Sequence, residues 1–159
     1  MPDSILAPNW WLGVLDQKYW PMRKMPFVYE VDCNPVLVAG NVQQFSIDIQ
    51  QDSDFVCLWV SALVTSTAAV PVLIWGSGFT NNSLSFTLVQ IVDVTTQQNL
   101  QSTQVPLDNI AGSGPFQAQT PWPYTFKAAG KILVNLVNQN NAQTVVRLSF
   151  GGVRVFLPA

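Results

Sequence analysis

The chain has no histidine and little charge: Lys, Arg, Asp and Glu make up 10% of its 159 residues, where soluble domains usually carry about 25%. Without histidine there is no Ser–His or Cys–His nucleophile pair, no imidazole general base near neutral pH and no imidazole metal ligand. Cys33 and Cys57 are the only cysteines and do not form a metal-ligand spacing. Both stand in apolar, strand-like surroundings, which predicts buried free thiols. No Lys or Arg occurs between Met25 and Phe126, and no dense basic patch appears elsewhere, so nucleic acid is not expected as a direct partner. No apolar run reaches the ~20 residues of a membrane-spanning helix; residues 56–74 come nearest, but Ser61, Thr65, Ser66, Thr67 and Pro71 divide them. The opening MPDSILAPNWW lacks the basic start and apolar core of a signal peptide, and a product of the cytosol is expected.

What the chain has is apolar residues, 48% of the total, and a polar surface that must be drawn from Gln, Asn, Ser and Thr. Such a surface costs little to desolvate, which suits permanent association better than life as a dispersed monomer. Of the two readings, a monomer with an amide-rich skin or a subunit of a larger assembly, the second is preferred. The charges are segregated. Glu30, Asp32, Asp48, Asp52, Asp54, Asp93 and Asp108 have no basic residue among them in the sequence, whereas Lys127, Lys131, Arg147 and Arg154 occupy a tail without acids. The expectation is that distant parts of the chain pair within one sheet or across a subunit boundary.

Residues 45–60, FSIDIQQDSDFVCLWV, set the architecture. Phe45, Ile47 and Ile49 alternate with Ser46, Asp48 and Gln50, as in a strand with one buried face. QQDSD is suited to a turn, and residues 55–60 form an apolar run expected to be covered on both faces or to enter an interface. Strands are predicted at 27–33, 42–50, 54–65, 70–76, 84–96, 99–105, 131–138 and 144–157, separated by turn signals, with a bulge or bend at Gly151 and Gly152. No stretch shows a sustained helical period. About eight strands at this spacing predict an all-β, single-domain sandwich or jelly roll over 27–159. Residues 106–126 read as a long loop with its own aromatics, Phe116, Trp122 and Tyr124, of the kind that usually makes functional contacts.

Residues 1–26 read as an extended arm with one possible helical turn, kept short by its prolines. Trp10, Trp11, Tyr19 and Trp20 must bury their rings either on their own domain or on a neighbour. Docking on a neighbour is favoured, with Lys18, Arg23 and Lys24 flanking the contact. No catalytic, cofactor or metal residues are assigned. Gly76-Ser77-Gly78 and Gly112-Ser113-Gly114 fit no phosphate-loop pattern and read as hairpin turns. Asp48, Asp52 and Asp54 have no calcium-loop spacing and read as capturing backbone N–H groups at turns. Glu30 and Asp32 share a strand face, an arrangement too common to signal a two-carboxylate enzyme.

The runs IDIQQDSDFVCLWV and SFTLVQIVDVTTQQNLQSTQVPL, the Pro-flanked loop from Gly114, Pro115 and Phe116 to Pro121, Trp122 and Pro123, and the ending RLSFGGVRVFLPA together resemble jelly-roll cement or decoration proteins of tailed bacteriophage heads, over roughly residues 27–159. The resemblance implies a non-enzymatic virion subunit on the outer capsid surface, assembled in the host cytoplasm. Its partners would be the major capsid protein and further copies of itself. The resemblance does not extend to the arm; the contact residues, read from the arm and the long loop themselves, would be Trp10, Trp11, Lys18, Tyr19, Trp20, Arg23, Lys24, Phe116, Trp122 and Tyr124. The alternative is a carbohydrate-binding β-sandwich of a phage fibre or adhesin, with Trp122 and Tyr124 as solvent-open stacking platforms. Residues 55–64, too apolar for an outer sheet face, further predict a homo-oligomer with a contact above about 1,000 Å².

Overall fold

The structure, a computed structural model, describes residues 15, 18–37, 40–66, 87–113, 118–139 and 143–157. It is an all-β sandwich of two sheets. The first contains β1 (Lys24–Leu37), β10 (Thr144–Phe156) and β3 (Ser53–Ser66) in that order, with β7 (Gly112–Ser113) and β8 (Ala118–Phe126) sharing the far edge of β3. The second runs β2 (Val42–Asp48), β9 (Lys131–Asn138) and β4 (Thr87–Asp93), with β5 (Gln98–Asn99) and β6 (Val105–Pro106) both on β4. All ladders are antiparallel except the short β3–β7 pairing.

Alternation fixes which side chains meet between the sheets. Ile132, Val134 and Leu136 of β9, Val89 and Ile91 of β4, and Val146, Leu148 and Phe150 of β10 all join the central core, with Leu107 of a short 3-10 turn closing one end. β3 changes phase partway. Phe55 and Cys57 face the core below Leu58, and Val60, Ala62 and Val64 face it above, while Val56 and Leu58 belong to a second cluster. The cause is a bulge: Gly151 pairs with Trp59 but Gly152 with Cys57, leaving Leu58 as the extra residue. A Cβ on Gly151 would strike the Trp59 indole, and one on Gly152 would strike the Val56 carbonyl oxygen. The irregularity expected at Gly151 and Gly152 is thus present, with the extra residue carried by β3. Because both faces of β3 are covered here, residues 55–58 can be continuously apolar.

Several strand bounds differ from the sequence reading. β1 starts at Lys24 rather than 27. The strand expected at 99–105 is instead the two separate pieces β5 and β6. The side-chain Oε1 of Gln101 accepts the Ile91 N–H at 2.8 Å, standing in for a backbone partner. The expected loop at 106–126 contains the 3-10 turn, β7 and β8. β8 tolerates Pro121 and Pro123 because its ladder to β3 breaks between Tyr124 and Gln119, on a sheet edge where a missing N–H costs least. The expected strand at 70–76 lies outside the described residues, as do 84–86.

The segregated charges pair within the chain. Arg147 on β10 reaches Glu30 at 3.0 Å and Asp32 at 3.1 Å on β1. Lys131 meets Asp48 at 3.3 Å, Lys127 meets Asp54 at 2.9 Å and Arg154 meets Asp52 at 2.6 Å. Cys57 is a free, buried thiol, and burial pushes its pKa up to about 12, leaving it protonated at neutral pH.

The outer face of the second sheet is banded. Register puts Val42, Val137 and Leu88 in one row across β2, β9 and β4, then Gln44, Asn135 and Gln90, then Ser46, Leu133 and Val92. Gln44 Nε2 donates to Asn135 Oδ1 at 2.8 Å along the middle row. Among the described residues, charge enters this face only at its end, with Asp48 and Lys131.

Candidate functional site

The part of the arm that is described packs on its own domain. Leu15, Tyr19 and Met22 join Val56, Leu58, Trp59, Val153 and Val155 in the second cluster, on the outer face of the first sheet. A helical turn delivers Tyr19 there: its N–H donates to Leu15 O at 3.0 Å, and its hydroxyl lies 3.1 Å from Thr125 Oγ1. Tyr19 is only 7% exposed. The outward surface of β3 at Val56, Leu58 and Trp59, part of the run that called for a partner subunit, is therefore covered by the chain's own N-terminal segment, through Tyr19 and through Met22, which the sequence reading passed over.

Trp20, the next residue, is 79% exposed. It sits in a turn held at both ends. Tyr19 is sunk in the cluster on one side, Met22 N–H returns to Tyr19 O at 2.8 Å, and Arg23 O accepts the Phe156 N–H at 2.9 Å. The Trp20–Pro21 peptide is cis. Lys18 lies over the Tyr19 ring at 5.2 Å and Arg23 over the Phe156 ring at 5.0 Å, so both cations flank the indole's turn on fixed aromatic supports. Lys24 follows as the first residue of β1, opposite Val155.

Beneath the turn, Arg154 is built into the end of the sandwich. It is 5% exposed, with Phe27 at 5.0 Å and Phe156 at 4.9 Å from its guanidinium. Its Nε donates to Ser53 Oγ at 2.8 Å. Burial works against the charge on Asp52, but the Ser53 hydroxyl and the Arg154 guanidinium outweigh it and hold the Asp52 carboxyl below its ordinary 3.8. Asp54 accepts the Ala128 N–H at 2.9 Å as well as Lys127, and that hydrogen bond raises the Lys127 pKa. Of the three aspartates expected to capture backbone N–H groups at turns, Asp54 does so, toward the turn after β8 and not its own, whereas Asp48 pairs with Lys131 and Asp52 meets Arg154 and the Ser53 hydroxyl.

Tyr124 faces inward. Its ring meets Phe126 edge-on at 4.7 Å, and its hydroxyl lies 3.0 Å from Asp93 Oδ2, 3.2 Å from Gln98 Oε1 and 3.3 Å from Thr96 Oγ1. Asp93 is 1% exposed and also accepts the Thr95 N–H at 2.9 Å. Desolvation and the neighbouring Asp93 raise the Tyr124 pKa. The group ties β8 of one sheet to β4 of the other, with the Tyr124 ring half-buried in it. Trp122 lies on β8; Trp10, Trp11 and Phe116 lie outside the described residues. Of the ten predicted contact residues, the structure brings Lys18, Tyr19, Trp20, Arg23 and Lys24 together at one end, and holds Tyr124 apart from them in the inter-sheet group.

No protein-family model matches the chain, and no curated protein matches it. Four solved chains are similar. One is a family two carbohydrate esterase from Cellvibrio japonicus, 12% identical, with a TM-score of 0.30; the likeness covers 85% of this chain and 36% of that one. The chain thus spans about a third of the esterase's length, and a TM-score this low carries no argument about either fold or activity.

Proposed function

We propose that the protein is a non-enzymatic structural subunit that attaches to a larger protein lattice through the Trp20 turn. The lattice implied by the sequence resemblance is the head of a tailed bacteriophage, where the major capsid protein would be the partner and the subunit would act as cement on the outer surface. The observation that supports this reading best is the exposed indole of Trp20 on a turn pinned by Tyr19, Met22 and Arg23. A large ring on an already ordered turn loses little conformational freedom on docking, and Trp and Arg are the residues that most often carry binding energy at protein contacts. Lys18 and Arg23 suit a partner surface with carboxylates around an apolar socket. A cement subunit binds only the assembled lattice, so its binding free energy adds to the stability of that state. The test compares particles with and without the protein in a thermal or osmotic rupture assay: the subunit should raise the rupture threshold, and equal thresholds would remove the cement role.

A further inference from the structure

We propose that Arg154 is the residue that positions the Trp20 turn, acting through the Phe156 ring; the docking purpose of that hold rests on the reading of Trp20 as the anchor. Arg154 and Phe156 stand two residues apart on β10 and so share a face of the strand. Phe156 is where the strand meets the turn. Its N–H donates to Arg23 O at 2.9 Å, and the Arg23 guanidinium lies over its ring at 5.0 Å. The Arg154 guanidinium lies over the same ring at 4.9 Å and over the Phe27 ring at 5.0 Å. A closed set of hydrogen bonds fixes its plane. Arg154 Nε donates to Ser53 Oγ at 2.8 Å, the Ser53 hydroxyl donates to Asp52 Oδ1 at 3.1 Å, and a terminal N–H of Arg154 donates to that same oxygen at 2.6 Å. One side chain thus joins β1, β3 and β10, and the ring it holds carries the residue at which the turn ends.

Stability alone does not account for a charge in that place. The Arg154 side chain is 7% exposed and that of Asp52 60%, so the guanidinium gives up its water for a partner that keeps its own. Apolar side chains of similar volume commonly match buried ion pairs in stability, and a site lined by two phenylalanine rings would suit one. An apolar chain cannot set the angle of a neighbouring ring as a planar guanidinium with fixed donors does. A turn held in this way is already ordered when a partner arrives, and the freedom of its side chains does not have to be given up on docking.

The experiment has two arms. In the isolated full chain, amide relaxation measured by NMR reads the order of the Trp20, Met22 and Arg23 backbone. Order parameters of about 0.85 are expected in the wild type and values below about 0.6 in Arg154→Met. Arg154→Lys, which keeps the charge without the planar fork, should fall between them. Phe156→Leu removes the ring from the other side of the link and should loosen the same amides, even if Arg154→Met does not fold. The amides of Ile132, Val134 and Leu136 on β9 should keep their wild-type order in every variant. A turn as ordered in Arg154→Met and Phe156→Leu as in the wild type, or a loosening shared equally by β9, would overturn the proposal. In the second arm, co-sedimentation with particles stripped of the protein should show Arg154→Met bound about three- to tenfold more weakly than the wild type, the cost of ordering one or two side chains on docking. Adding Arg154→Met to Trp20→Ala should cause no further loss. A turn that loosens while binding stays unchanged would leave the hold of Arg154 on the turn in place and sink the reading of Trp20 as the anchor.

Discussion

Neighbouring aromatic residues in the arm should contribute very unequally to the stability of the isolated protein. Tyr19 is buried against Val56, Leu58 and Val155, so Tyr19→Ala uncovers both its own ring and the cluster beneath. Removing an aromatic ring of this kind forfeits on the order of 150 Å² of burial, about 3–4 kcal/mol at the usual coefficient. Partial re-coverage by the loosened segment should return about 1 kcal/mol, so a net loss of about 2–3 kcal/mol is expected. For a domain of this size that corresponds to a fall in Tm of roughly 5–12 °C. Tyr19→Phe keeps the ring and loses only the contact with Thr125, a change of about 0.5–1.5 kcal/mol. Trp20→Ala, at a position 79% exposed, should stay within about 0.5 kcal/mol of wild type. Calorimetry on the three variants decides the matter. If Tyr19→Ala melts with the wild type, or Trp20→Ala melts with Tyr19→Ala, the placement of the two rings is wrong.

Two further outcomes follow from the frame of the sandwich. Gly152→Ala drives a Cβ into the Val56 carbonyl oxygen, part of the backbone at the bulge, and should cost about 3 kcal/mol or more in urea unfolding; Gly151→Ala meets only the Trp59 ring, which can swing away, and should cost less. Because the folded Asp52 pKa is depressed below 3.8, its contribution is present above that value and is lost as pH falls through the folded pKa. Urea unfolding followed from pH 5 downward should therefore show an acid-dependent component below about 3.8 that Asp52→Asn abolishes.

Strands with clean alternation were legible in the sequence. Residues 131–138 alternate without interruption and form β9 at those bounds, and 42–50 and 144–157 differ from β2 and β10 only at their ends. The misses have physical causes. Pro121 and Pro123 disguise β8 as loop, because proline argues against a strand unless the break in its ladder is known. Around Gln101 a side chain does the work of a ladder partner, which no period in the sequence reveals. At residues 55–58 the run is apolar because the bulge at Leu58 and the arm cover both faces. The sequence reading expected either cover on both faces or an interface there, and favoured docking of the arm on a neighbour; Leu15, Tyr19 and Met22 instead cover their own domain. The tryptophans and tyrosine of the arm were identifiable as rings needing burial. That Tyr19 turns inward while Trp20 turns outward depends on the local backbone bonds from Tyr19 N–H to Leu15 O and from Met22 N–H to Tyr19 O.

The central claim is that Trp20 is the anchor of a subunit bound to a larger protein lattice. It is tested most directly by adding purified wild-type protein and Trp20→Ala to particles stripped of it, and measuring the bound fraction of each by co-sedimentation. The account predicts that Trp20→Ala, folded and melting like the wild type, binds at least about thirtyfold more weakly, the loss of a contact worth about 2 kcal/mol. Equal binding by the two proteins would contradict it.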